Sequence, residues 1–309
     1  MEIAEIQELM LAYDIGSVLK VESLTQGYAN ENLKVTTSSG PVLFRICKQQ
    51  PLPLLKYELR LMEALKNFKL KAAFPIADKC GGFIQSQGTN HVMLYEFKAG
   101  KEPQLTAAVA HQMGIAVGKL SQIPLTEGLQ KKNAVHLDNC QQLITNFSKC
   151  KNSMPDVFDY FEEQTAYLIK NMSSDLPKGV VHGDLFPNNT IFEGEELIAL
   201  IDFEEACSDH LLFDVGMTIN GFCFVDNELN AKLLNAFLRG YQIQRQLTSE
   251  EWIALPQYMQ WASHGMLSWH LSNDLINIPN EAQHDRVLEL MQRTQWMRAH
   301  ENEIQKMVN

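Results

Sequence analysis

Two apolar runs in the middle of the chain each end on an aspartate, and they restrict the fold more than any other feature. Residues 179–181 lead into His182-Gly183-Asp184, and residues 197–201 lead into Asp202. Between them, 189–192 reads as a short strand and 193–196 as a turn. An antiparallel hairpin pairs residues whose numbers sum to a constant, so a turn near Glu195 brings Asn189 within about a residue of Asp202. Asp184 lies just upstream. Two carboxylates and one amide therefore converge on one spot. As plain strand-end caps they would have no reason to share this spacing. Hard oxygen donors of this kind, too few to cage a cation alone, suit Mg²⁺ completed by water and phosphate.

The charge distribution supports the same chemistry. The chain has a net charge of −11, and residues 179–231 contain no Lys or Arg but eleven acids. Some of these, Glu193 to Glu196 especially, are ordinary solvated surface. A site built from the others needs metal ions before it can accept an anion, and it favours a cationic organic substrate. No basic face for nucleic acid is present. The six cysteines form no CxxC pair and read as buried free thiols of a reducing cytosol. The acidic N-terminal stretch lacks the bases of a signal peptide, and no apolar run reaches the ~20 residues that span a bilayer. A cytoplasmic protein without a membrane partner is expected; the oligomeric state is not legible.

Along the chain, 2–13 has helical spacing of Ile3, Ile6, Leu9 and Met10. Strand patterns follow at 19–24, 33–37, 42–47, 83–85 and 92–97, with a helix over 54–67 entered through the PLPLL loop at 51–55. After about residue 104 the pattern is helical: Thr106 caps a helix reaching Leu120, and further helices fit 139–147, 157–171, 228–246, 250–271 and 281–306. An α+β chain is expected, with a small antiparallel β-rich lobe over 1–97, a larger mainly helical lobe over 98–309, and a cleft between them.

The small lobe contributes candidates of its own. Glu58 falls on the apolar stripe of the 54–67 helix, and Arg45 stands in apolar company in the strand VLFRIC. A buried acid calls for a cationic partner, and an Arg45–Glu58 pair satisfies both, with guanidinium left to reach a phosphate. Between the first two strands, Gly27 permits close backbone approach and Asn30 and Asn32 offer donors to phosphate. By itself this loop resembles any hairpin turn.

The pattern H-x-D-x-x-x-x-N followed by a second Asp is the arrangement of kinase-like phosphotransferases. HGDLFPNN together with IDFE resembles the aminoglycoside phosphotransferase and choline kinase superfamily over nearly the whole chain, which implies the two-lobed protein-kinase-like fold. Within it, TQGYANENLKVTTSSG, LIDFEEACSDHLLFDVGMTINGFCF and the Leu-Phe-Pro interior of HGDLFPNN are similar to kinase-like homoserine kinases. The resemblance implies Asp184 as catalytic base and Asn189 and Asp202 as Mg²⁺ ligands. It puts Arg45 in the place of the phosphate-binding Lys and Glu58 in that of its helix partner. Gly27, Asn30 and Asn32 fall in the nucleotide loop, and Tyr95, Glu96 and Phe97 in a hinge whose backbone pairs with adenine. His182 and Asp214 brace the catalytic loop. Gly183 stands where protein kinases carry an Arg, which speaks against control by a phosphorylated activation loop.

The expected activity is ATP- and Mg²⁺-dependent phosphorylation of a hydroxyl on a small cationic or zwitterionic metabolite, homoserine first. An aminoglycoside, choline or other amino-alcohol kinase is the alternative within the fold. A catalytically silent binding protein would retain no need for all these positions, and a metal-dependent phosphohydrolase no need for Arg45, Glu58 or a hinge. His264 and His270, six apart, are expected in core or surface positions rather than on one metal, and Trp261, Trp269 and Trp296 to pack helices; no donor for a substrate carboxylate stands out, Arg239 being only a guess.

Overall fold

The computed structural model describes residues 3–24, 30–48, 50–147, 154–273 and 280–308. β1 (Val18–Leu24), β2 (Asn30–Thr37), β3 (Gly40–Cys47), β4 (Gln85–Gln87) and β5 (Asn90–Glu96) form an antiparallel sheet in the order β1-β2-β3-β5-β4. The strand period of two sorts β3 by face. Val42, Phe44 and Ile46 join α1 (Ile3–Met10) in one small core with Ile6, Met10 and Val35. The opposite face carries Leu43, Cys47 and Arg45 toward α2 (Leu52–Asn67), where Leu55, Met93 and Tyr95 close a second cluster. Pro51 precedes α2 as its N-cap, so PLPLL is indeed the helix entry.

The remainder is mainly helical: α3 (Ala107–Leu120), α4 (Leu137–Ile144), α5 (Pro155–Asn171), α6 (Leu211–Phe222), α7 (Ala231–Gln244), α8 (Ser249–His270), α9 (His284–Ala299) and α10 (Glu301–Val308). Thr106 caps α3 by accepting from the Val109 N–H at 3.2 Å. Helix α3 lies against α7 at backbone distance, because a Cβ on Gly114 or Gly240 would strike the facing main chain. One large core joins these helices to Leu61, Met62 and Leu65 on α2.

Two short antiparallel pairings carry the apolar runs. β7 (Thr190–Glu193) pairs with β8 (Glu196–Leu200), Thr190 facing Leu200, and the Ile201 N–H donates to the Asn189 carbonyl at 3.0 Å. The expected approach of Asn189 to Asp202 therefore holds within a residue. β6 (Lys178–Val181) pairs with β9 (Cys207–His210), and bridges Ala72↔Leu200 and Lys101↔Phe192 tie the hairpin to the chain around the first sheet.

Several expectations need correction. The strand at 83–85 is shifted to Gln85–Gln87. The start of the 228–246 helix is a small hairpin, β10 (Phe224–Val225) with β11 (Glu228–Leu229), and Asn230 caps α7 only after it. The 281–306 helix breaks at His300 into α9 and α10. Cys80 is exposed, Cys47, Cys140, Cys207 and Cys223 are buried free thiols, and Cys150 lies outside the described residues. Among the described residues no helix is long and apolar enough to cross a membrane.

His264 and Trp261 are buried as expected, Trp261 donating to the Val135 carbonyl. His264 meets the Thr165 hydroxyl at 2.8 Å and stacks on Phe161, and burial lowers its pKa to about 3. A base held neutral in the fold stabilises it fully above the unfolded value near 6.5, and that stability is lost as pH falls toward 3. Wild type is expected to lose about 2 kcal/mol through this group between pH 6.5 and 5. In urea unfolding at the two pH values, His264→Gln should lack that increment; an unaltered pH slope would contradict it.

Candidate active site

The loop after β6 is fixed from behind by Asp214 of α6. Its carboxylate accepts the His182 N–H at 2.6 Å and the Gly183 N–H at 2.9 Å. Burial pushes the Asp214 carboxyl up to about 7, while these two donors pull against that rise. His182 is fully buried; burial lowers its pKa to about 4, so its ring is neutral. Its Nε2 faces the Ile201 carbonyl at 3.0 Å and therefore carries the proton. The bare Nδ1 then accepts the Asp184 N–H at 3.4 Å. One imidazole thus ties the loop to the end of β8. Gly183 adopts φ +84°, and a Cβ there would lie 2.8 Å from the Glu205 carbonyl oxygen. That geometry accounts for glycine where a larger residue would otherwise follow the His.

Asn189 is buried, and its Nδ2 donates to both the Asp184 carbonyl and Oδ2 at 2.7 Å. With the amide nitrogen spent on Asp184, the amide oxygen is the group left for a cation. Asp202 sits at φ 62°, ψ 64°, a left-handed conformation that Asp tolerates better than most residues. Such backbone persists where surrounding structure enforces it. Burial raises the pKa of Asp184 to about 6, assisted by the Asp202 and Glu205 charges and opposed by Asn189 and Arg286. A carboxyl near neutrality suits acceptance of a proton from an alcohol.

Across from this loop, Arg45 and Glu58 meet at 3.5 Å, both almost wholly buried. Burial disfavours the Arg45 charge, but Tyr95, Glu58, Asp202 and Glu204 more than offset it and hold the guanidinium above its ordinary value. The Tyr95 hydroxyl donates to Glu58 at 2.7 Å, and its ring lies 5.0 Å from the Arg45 guanidinium. The side chain of Tyr95 thus props the ion pair. Glu96 is exposed and its N–H donates to the Phe74 carbonyl at 2.9 Å, while the half-buried Phe97 ring lies under Lys34. Asn32 stands opposite Arg45 in the β2–β3 ladder. Gly27 lies outside the described residues.

Glu204 was only one of many acids in the sequence, yet here it joins the two sides. Its carboxylate takes a bond from Asn30 Nδ2 and stands 3.4 Å from Arg45, and its carbonyl accepts from Lys131. Burial, aided by Asp202, raises its pKa to about 7 against the pull of Arg45. Nothing local marks it, since its partners are more than 70 positions away. Arg239, by contrast, is exposed on α7.

The donor set fits the groups that this chemistry requires. Asn30 Oδ1, Arg45 Nε and Glu58 Oε2 are buried without a hydrogen-bond partner among the described residues. A donor and acceptors left open around a buried guanidinium are what a polyphosphate with its counter-ion would satisfy. Among the described residues no cluster of three His, Cys, Asp or Glu side chains could hold a metal. Asn189 and Asp202 are therefore suited to a cation that brings most of its own ligands, as Mg²⁺ with phosphates and water does.

Residues 20–253 match the Phosphotransferase enzyme family. The chain belongs to this family. As a phosphotransferase it has curated relatives of similar length. A homoserine kinase of Nitrobacter winogradskyi is 29% identical over 89% of this chain and 85% of its own. One of Rhodopseudomonas palustris is 28% identical over 90% and 86%. Among solved structures, an amicoumacin kinase in complex with AMP-PNP and Ca²⁺ superposes with TM-score 0.72 at 14% identity, covering 95% of this chain and 92% of that one. A microcompartment-associated aminopropanol kinase gives 0.71 at 14% identity, covering 98% and 99%. These likenesses establish the two-lobed kinase-like fold of this phosphotransferase.

Proposed function

We propose that this phosphotransferase uses ATP and Mg²⁺ to phosphorylate the hydroxyl of homoserine, giving O-phosphohomoserine on the route to threonine. The observation that carries the reaction is the Asn189–Asp184 hydrogen bond beside Asp202, whose charge reaches both Asp184 and the buried Arg45 paired with Glu58. The homoserine kinases that match most of the chain support the substrate.

Asp184 accepts the hydroxyl proton as the oxygen attacks the γ-phosphorus, with Asn189 Nδ2 fixing one carboxylate oxygen. Asn189 and Asp202 would hold Mg²⁺, which offsets the charge on the phosphates. Arg45 binds phosphate through its open Nε edge, and Glu58 with Tyr95 sets its direction. Asn30, Asn32 and Gly27 cover the phosphates, and backbone groups at Glu96 and Phe97 receive the adenine. His182 and Asp214 keep the loop in shape. Residues 1–97 then form the nucleotide lobe and 98–309 the catalytic lobe of a cytoplasmic enzyme with no nucleic-acid or membrane partner.

An amino-alcohol kinase is the second reading, supported by the aminopropanol kinase among the structural neighbours and by the cation-free 179–231 window. ADP release measured over homoserine, aminopropanol, choline and an aminoglycoside separates them. Homoserine is expected to give the highest kcat/KM; clear turnover of another alcohol with none of homoserine would refute the substrate assignment.

A further inference from the structure

A zwitterionic substrate needs a cation for its carboxylate, and the catalytic segment has none: residues 179–231 lack Lys and Arg altogether. The cation must come from another element. On α9, the Arg286 guanidinium lies 5.6 Å from the centre of the Phe186 ring, two residues beyond Asp184. Its charge reaches Asp184 itself, where it opposes burial and the Asp202 and Glu205 charges.

The way Arg286 is held indicates a binding role. Glu289 bridges two guanidinium groups, with Oε2 at 2.6 Å from Arg286 and Oε1 at 2.5 Å from Arg293. Arg293 is buried, and its Nε donates to the Asn227 side chain at 2.7 Å and its Nη1 to the Asn220 carbonyl at 2.9 Å. It serves as a fixed base that anchors Glu289 at the end of α6. Two cations against one carboxylate leave an excess of one positive charge. The half-buried partner, Arg286, is the one that can present it. Among the described residues Glu289 engages only Nη1 of Arg286, so the other edge of the planar fork is open for a second carboxylate, which guanidinium binds bidentately.

We propose that Arg286 receives the carboxylate of the acceptor substrate. This rests on homoserine being the acceptor. It offers an alternative to the exposed Arg239, and it makes Arg286 a specificity residue that Glu289 and Arg293 position.

The test compares homoserine with 3-amino-1-propanol, which is homoserine without its carboxylate, on the full chain. Wild type should prefer homoserine. Arg286→Gln should reduce the ratio of the two kcat/KM values roughly 30- to 100-fold, the scale of a lost charge-assisted pair, chiefly through KM for homoserine. Arg286→Lys should recover part of the ratio, because the charge returns without the fork. Melting temperatures within about two degrees of wild type would show that the variants fold. A ratio unchanged within twofold in Arg286→Gln, with wild type still preferring homoserine, would overturn the anchor and leave the substrate standing. Wild type failing to prefer homoserine would overturn the substrate, and the anchor with it.

Discussion

Asp184→Asn is expected to lower kcat by about 10²- to 10⁴-fold, the range that a positioned general base supplies. Stability should not fall with it. Asp184 is a carboxyl whose ionised form is disfavoured by burial and by the Asp202 and Glu205 charges. An amide at that position removes this electrostatic cost while preserving the shape, and its oxygen can still accept from Asn189. The melting temperature should therefore hold or rise, and MgATP should still raise it further. Activity and melting temperature falling together would mark Asp184 as structural.

Asp202→Asn is expected to lower kcat by about 10²- to 10³-fold and to abolish the extra stabilisation that Mg²⁺ gives in the presence of ATP. Asn is the informative substitute because it too tolerates the left-handed backbone at φ 62°. The two variants separate on metal dependence. Raising Mg²⁺ should restore part of the activity of Asp202→Asn, whose defect is in cation affinity, and none of that of Asp184→Asn. The same change should move other groups, since the Asp202 charge helps to raise the pKa of both Asp184 and Glu204. Activity of Asp202→Asn within a few-fold of wild type at ordinary Mg²⁺ would contradict its role as a ligand. Both results would be read from initial rates of ADP release and from thermal shifts with ATP alone and with MgATP.

How far the site was legible follows from how local its causes are. Asn189 and Asp202 could be brought together on paper because a hairpin pairs by simple arithmetic, and the Thr190↔Leu200 pairing obeys it. Arg45 and Glu58 could be paired because each was a charge in apolar company and neither could be buried alone. The cap at Thr106 was written in the residues that surround it. Helix α6 was not foreseen because nearly every residue in it is buried, so it has no polar face and no helical period to read. The hairpin at Phe224–Leu229 is only two residues deep on each side, too short for a strand pattern to emerge. Glu204 and Arg286 escaped for a third reason. Each takes its meaning from partners brought close only by the tertiary fold: Asn30 and Arg45 for the first, Phe186 and Asp184 for the second. Tyr95 illustrates the same limit from the other side. The resemblance placed its backbone in the hinge, and nothing local announced that its phenol is committed to Glu58 in the interior.

The central claim is transfer of phosphate to the homoserine hydroxyl, and the most direct measurement is phosphorus NMR of wild-type protein incubated with ATP, Mg²⁺ and homoserine. A new phosphomonoester resonance coupled to the substrate methylene protons, growing in step with ADP and absent with Asp184→Asn, is the expected result. Inorganic phosphate as the sole new product, or no loss of ATP in the presence of homoserine, would contradict it.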